Sequence, residues 1–407
     1  MQTVCGGGAN IATGMTDAKN RQTAGSPFLG DVSGAFADLG TFLPLVIGVL
    51  TVVRLDAASV MVGFGLFALS TALIYRRPVP VQPMKAVAAL AVAGGISSSM
   101  VMASGLIIGI LLVFLAAVGA IGWLARALPQ SVLAGLQLGI GLQLAYVGVT
   151  LVGSDWLVGM VMLAALIGLL TTRLKYFSGI IVITIACLWS LSSDSQVLPG
   201  VQFALFHPQL GWPDMAAFGQ SLQQIVVPQL AMTLTNAVLM TAALASVLFP
   251  DDTEQITAKR LSLTSGALNL LLAPLGALPM CHGAGGLAVQ HKFGARTGWA
   301  TAIFGATCLG IGLFFASSVL AILSIIPVAA VGALLIVAGG ELALSKRLFD
   351  GRLSCLVVIL VTGAVCLFIN VAVGLILGII AEFARAAIVR RLFRDGRAGA
   401  QVRPTIG

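Results

Sequence analysis

Two apolar runs constrain this chain more than any other feature, because each is too short to cross a bilayer and each follows a proline. The first is Ala86 to Ala93, entered through Pro80-Val81-Gln82-Pro83-Met84-Lys85, where a full crossing helix needs about 20 residues. The second lies about half a chain later, entered through Leu278-Pro279-Met280-Cys281-His282-Gly283-Ala284-Gly285-Gly286. The pattern repeats, with Pro83-Met84 followed by Leu90-Ala91-Val92 and Pro279-Met280 followed by Leu287-Ala288-Val289. Both read as half-helices, with Pro83 expected in a first helical turn, where a missing N–H costs nothing and free amides lie close by. Interrupted short segments at matching places in two halves of a membrane protein point to a transporter's binding site.

Only 9% of the residues are charged and 58% are hydrophobic, against about 25% charged in a soluble domain. This composition predicts an all-α polytopic membrane protein. Apolar runs between charged or turn-forming breaks give spans near 30–53, 57–75, 80–93, 99–122, 130–151, 156–172 and 176–193, then 219–249, 261–277, 279–291, 297–317, 319–342, 353–369 and 371–390. Seven spans per half make the second half enter from the opposite side, so the expectation is a 7+7 inverted repeat. The expected divisions are a disordered cytoplasmic tail at 1–27, repeats at 28–195 and 219–392, an extracytoplasmic connection at 196–218, and a second cytoplasmic tail at 393–407. With both termini in the cytoplasm, 20 of the 22 basic residues fall on the cytoplasmic side, Arg54 falls outside and Lys85 lies at membrane depth. That is the positive-inside pattern of an inner or plasma membrane protein. It also accounts for the net charge of +8 without a nucleic-acid surface.

Several chemistries find no support. The six cysteines are scattered without CxxC spacing, so neither a disulfide framework nor a metal site is expected. No Lys precedes a Ser or Thr, so there is no phosphate-binding loop for ATP-driven pumping. No cofactor, nucleophile–base pair or enzyme site is read.

Asp38 precedes a long uncharged run and is either an interfacial charge near a helix start or a functional intramembrane carboxylate; Asp31 reads as a cap nearer the edge. Lys85 either snorkels to the surface or lends a charge to an anion at a helix N-terminus, with Gln82 adding amide hydrogen bonds. The glycines after Cys281 let backbone amides approach a ligand or let helices pack closely. His282 is a ligand donor, a proton carrier or a buried hydrogen-bonded histidine. Gln229, Thr233 and Asn236 share an α-helical face at i, i+4 and i+7 and serve substrate or helix packing. His207 and His291 read as loop residues, and Glu341 and Glu382 as interfacial. The candidate substrate set is therefore Thr41, Gln82, Pro83, Met84, Lys85, Gln229, Thr233, Asn236, Cys281, His282, Gly283, Ala284 and Gly285. Each helix N-terminus presents about half a positive charge, so two of them and Lys85 suit a doubly charged anion, with Asp38 taking a proton as the anion binds.

The motifs Gly30-Asp31-Val32-Ser33-Gly34 with Asp38-Leu39-Gly40-Thr41-Phe42-Leu43-Pro44, Pro80 to Lys85, and Pro279 to Ala288 resemble those of the MOT1-type molybdate transporters, a family related to the sulfate permease (SulP) superfamily. The resemblance implies a core domain of spans 1–4 and 8–11, a gate domain of spans 5–7 and 12–14, and an oxyanion substrate, molybdate first and sulfate second. The proton on Asp38 gives the expectation of proton symport and the inverted repeat that of alternating access in a lipid bilayer, with a homodimer as a candidate assembly. Typical sulfate permeases carry a C-terminal STAS domain, and none is read here, which favours the molybdate branch. The alternatives are a sulfate permease-type carrier, a nucleobase–cation symporter or an anion channel. The absence of any Asp or Glu between Glu254 and Glu341 weighs against a nucleobase.

Overall fold

The computed structural model describes residues 27–123, 129–172, 174, 178–192, 200–344, 353–369 and 371–400. Within them the chain is almost entirely helical: α1 (Pro27–Ala35), α2 (Leu39–Val53), α3 (Ala57–Tyr75), α4 (Lys85–Ala93), α5 (Ser98–Ala117), α6 (Gln130–Val152), α7 (Trp156–Leu170), α8 (Ser178–Ser192), α9 (Met215–Leu248), α10 (Ala258–Leu272), α11 (Ala284–Lys292), α12 (Trp299–Phe314), α13 (Val319–Ser324), α14 (Val328–Ala343), α15 (Leu353–Phe368) and α16 (Val371–Ala400). By length and composition α3, α5, α6 and α9 can each cross a membrane, and several shorter helices are equally apolar. Large side chains such as Leu73, Phe114, Leu157 and Val357 are exposed, as expected where the surrounding solvent is hydrocarbon. The chain is an integral membrane protein.

Small residues set the helix spacing, since apolar side chains gain little by leaving lipid for protein. Between α6 and α14, a Cβ on Gly148 would lie 2.7 Å from Gly332 O, and one on Gly332 would lie 2.6 Å from Gly148 O. The two backbones pack directly against each other, so any side chain at either position forces the helices apart.

Four elements differ from the expectation. The first span is not one helix: α1 and α2 are separated by a turn at Phe36 to Asp38, leaving Asp38 as the N-cap of α2. Pro83 does not open a helix either. It lies in an extended segment, β1 (Gln82–Pro83), paired antiparallel with β2 (Met280–Cys281) in the register Gln82↔Cys281 and Pro83↔Met280. Because proline donates no hydrogen bond, the pair is held from its flanks: Met84 N–H donates to Pro279 O at 2.9 Å, and Asn269 donates to Met280 O and accepts from Met280 N–H, at 2.6 and 2.8 Å. His291 belongs to the last turn of α11 rather than to a loop. The final helix continues to Ala400, past the expected end of the second repeat. Among the described cysteines, Cys187, Cys281, Cys308 and Cys366 are free.

Candidate functional site

The two half-helices, α4 and α11, leave the crossed strands with different first turns. In α4 the start is sealed. Ala86 N–H and Val87 N–H both donate to Gln229 Oε1, at 2.8 and 3.2 Å, and Gln229 Nε2 donates to Thr233 Oγ1 at 2.8 Å. First-turn amides have no partner in their own helix, and here a buried carboxamide from α9 supplies one.

In α11 the start is open. Gly283 is the N-cap and offers no side chain, and among the described residues the amides of Ala284, Gly285 and Gly286 donate to no protein acceptor. Gly285 is exposed, with nothing within 4 Å of where its Cβ would stand. Gly286 is closely packed, since a Cβ there would meet Asp38 Oδ2 at 2.7 Å and Gln82 Nε2 at 2.8 Å. Asp38 accepts a hydrogen bond from Gln82 Nε2. One carboxylate, one carboxamide and the glycines of α11 therefore converge from α2, β1 and α11.

A cavity of about 290 Å³ opens on this cluster, and Asp38, Thr41, Gln82, Lys85, Gln137, Asn236, Gly285, Gly286 and Glu341 are among its lining residues. A neighbouring cavity of about 270 Å³ shares Asp38, Thr41, Val289, Ala338 and Glu341 with it and runs on past Leu166, Leu170 and Ser178. A larger cavity, about 630 Å³, is lined instead by residues that include Arg54, Ser98, His207 and Gly276. It contains none of the residues expected to bind substrate.

The structure thus gathers Asp38, Thr41, Gln82, Lys85, Asn236 and Gly285 around one space. Other candidates are placed behind it. Pro83, Met84 and Cys281 are buried in or beside the strand pair, Ala284 is buried, and Gly283 packs against the Gln82 carboxamide. His282 is buried with Nδ1 3.1 Å from Pro80 O, so Nδ1 carries the proton, and Nε2 3.2 Å from Thr264 Oγ1. Thr264 in turn meets the Tyr75 hydroxyl at 2.6 Å. Gln229 caps α4 and Thr233 accepts from its amide, while Asn236 lines the cavity. The π-helical stretch Thr233–Met240 accounts for the split, because its wider turn offsets the i, i+7 face of a regular helix.

Glu341 was expected at the interface and instead lines both cavities. Its helical neighbours Leu334, Val337 and Ala338 line the second cavity with it, so the i, i+3, i+7 spacing on α14 was the available signal. Gln137 carried no such signal. Asp31 and Glu382 do tie helices together. Asp31 is buried and accepts from Arg296 N–H at 2.7 Å and Thr297 N–H at 3.0 Å, and Glu382 pairs with Arg385 at 2.5 Å while accepting from Ser131 Oγ at 2.8 Å. Among the described residues no cluster of three or more His, Cys, Asp or Glu could hold a metal.

A helical membrane bundle with two half-helices crossing at their starts, beside a polar cavity, has the form of a membrane transport fold. Solved structures share it. The transmembrane domain of the cyanobacterial bicarbonate transporter BicA superposes with a TM-score of 0.64 at 14% identity, covering 86% of this chain and 96% of that one. Murine SLC26A9, an anion transporter in its inward-facing state, gives 0.63 at 12% identity, covering 92% and 70%. The sequence is more specific than the fold. The chain belongs to the family described as "Molybdate transporter of MFS superfamily", whose model matches residues 30–144 and 221–342 and so takes in both half-helices. Molybdate transporter 2 of Arabidopsis thaliana is 30% identical over 375 residues, covering 79% of this chain and 80% of its own length. Molybdate transporter 1 of Chlamydomonas reinhardtii is 28% identical and covers 91% and 94%. These relatives are named as transporters, not enzymes, and although the family is described under the MFS superfamily, the fold matches the BicA and SLC26A9 structures.

Proposed function

We propose that this protein carries a tetrahedral oxyanion, molybdate before sulfate, by proton symport with alternating access. The observation that carries the reading is the open first turn of α11 facing the same cavity as Lys85. Three unpaired amides and an ammonium offer the positive end of a helix and a point charge to one anion, and Gln82, Asn236 and Thr41 supply further hydrogen-bonding groups. The names of the relatives support molybdate as cargo.

Asp38 is the proposed coupling residue. Its ionised form would oppose a dianion a few ångströms away, so binding is accompanied by a proton on Asp38. The second cavity is lined from the last turns of α7 and α14 and the first turn of α8, and in the sequence α7 and α14 are each followed within a few residues by basic residues, Arg173 and Lys175 after the one and Lys346 after the other. By the positive-inside rule this is the cytoplasmic side, both termini share it, and the conformation is open inward. The 7+7 inverted repeat, with a core carrying both half-helices and a gate facing it, is the arrangement that lets the site face either side, and a homodimer in the bilayer is the proposed assembly.

The test is uptake of labelled molybdate into proteoliposomes under an inward proton gradient, with excess unlabelled sulfate as competitor. Gradient-driven uptake that resists sulfate supports the reading. Uptake abolished by sulfate moves the assignment to a sulfate-type carrier, and an Asp38→Asn protein that still concentrates molybdate overturns the coupling role.

A further inference from the structure

The oxyanion reading leaves one charged group of the cavity without a task. Glu341 lies near the end of α14 and shares the cavity with Lys85 of α4 and Asp38 at the cap of α2. The remaining polar side chains on the wall are neutral: Thr41 from α2, Gln82 from β1, Gln137 from α6, Asn236 from α9 and, in the adjoining space, Ser178 from α8. The Glu341 side chain is exposed to this space. Among the described residues neither Glu341 nor Lys85 is in a salt bridge or side-chain hydrogen bond, whereas Arg77 pairs with Asp252 and Arg385 with Glu382. An ammonium and a carboxylate thus line one cavity of about 290 Å³ without forming an ion pair. Elsewhere the chain pairs its carboxylates directly, as Glu382 and Asp252 show.

We propose that Glu341 is the release residue of this cavity: its carboxylate competes with the bound oxyanion for Lys85. The inference rests on the reading of the cavity as an oxyanion site. When the dianion is present, the amides of α11 and the Lys85 ammonium hold it, and Glu341 faces it as a like charge. When the dianion leaves, Glu341 takes over the neutralisation of Lys85. Release is then an exchange of one anion for another at Lys85 rather than the baring of a cation at membrane depth, which is costly. Placing the carboxylate on α14, across from the two half-helices, lets it weaken binding without occupying the substrate's own contacts.

The test is equilibrium binding of labelled molybdate to the full-length protein in nanodiscs, together with efflux from loaded proteoliposomes. Glu341→Gln keeps the shape and removes the charge. It should tighten molybdate binding by about tenfold, the scale of one like-charge contact in a partly wet site, and slow efflux, and Glu341→Asp should restore both. In a Lys85→Gln background the same change should bring little further tightening, because the competition has lost its object. Unchanged or weaker binding in Glu341→Gln overturns the proposal, and so does an equal tightening with and without Lys85, which would show general repulsion instead. If Glu341→Gln does not fold, Glu341→Ala removes the same charge, and binding and efflux unchanged from wild type in that variant overturn the proposal. A wild-type protein that binds neither molybdate nor sulfate overturns the oxyanion reading itself, an outcome distinct from any of these.

Discussion

The two half-helices follow one strand pair and have the same length, yet only one presents unpaired first-turn amides to the cavity. The first turn of α4 is closed by Gln229 Oε1 on two amides, while that of α11 has glycines and no protein acceptor among the described residues. The charged residue is on the closed helix and the unpaired amides are on the open one. On the proposed reading, an oxyanion bound between them would draw its side-chain charge from α4 and its backbone donors from α11. The two helix starts thus differ at the place where, on that reading, a dianion needs two different kinds of positive group.

The largest effect should come from filling the open end. Gly286→Val places side-chain atoms against the Asp38 carboxylate and the Gln82 carboxamide. Overpacking of this kind costs about 1–3 kcal/mol or more, and because it falls on the site itself molybdate uptake should drop below detection while the protein still inserts, as membrane fractionation would show. Removing the charge comes next. Lys85→Ala gives up one charge-assisted contact, on the order of 1.5–3 kcal/mol, so the Kd for molybdate in nanodiscs should rise by about ten- to a hundredfold.

Unsealing the closed end should have a different signature. Gln229→Leu strands two buried amides at a cost of about 1–3 kcal/mol, which a fall in Tm would register, with only a few-fold change in molybdate affinity. If affinity collapses as far as in Lys85→Ala, the α4 start is a substrate contact and the asymmetry is wrong. The smallest effect belongs to Gly285→Ala. A methyl there meets nothing within 4 Å, so uptake should change by no more than about the twofold expected of a tolerated surface substitution within ±0.5 kcal/mol.

Much of this was legible in the sequence because it follows from chain length and backbone chemistry. The half-helices showed themselves as apolar runs too short to span, and Ala57–Tyr75 and Gln130–Val152 were bounded within a residue by their charged and proline breaks. Spatial placement was not legible in the same way. Proline at position 83 is as compatible with a strand whose partner needs no donor as with a helix start, and only Met280 across from it decides between them. The face formed by Gln229, Thr233 and Asn236 presumed a regular helix, and a π stretch redirects Asn236. Glu341 sits near a span end, where a charge needs no explanation, and its role in the cavity depends on which way α14 turns that end. His282 carries a side chain that suits a ligand or a core equally, and the structure surrounds it with Pro80, Thr264 and Tyr75.

The most direct measurement is the position of tungstate, an electron-dense analogue of molybdate, in an experimentally determined structure of the protein in nanodiscs. The account predicts density within hydrogen-bond reach of the Gly285 and Gly286 amides and of Lys85 Nζ, with Gln229 still capping α4. Density at the start of α4 with Gln229 displaced, or in the larger cavity beside Arg54 and His207, would contradict it.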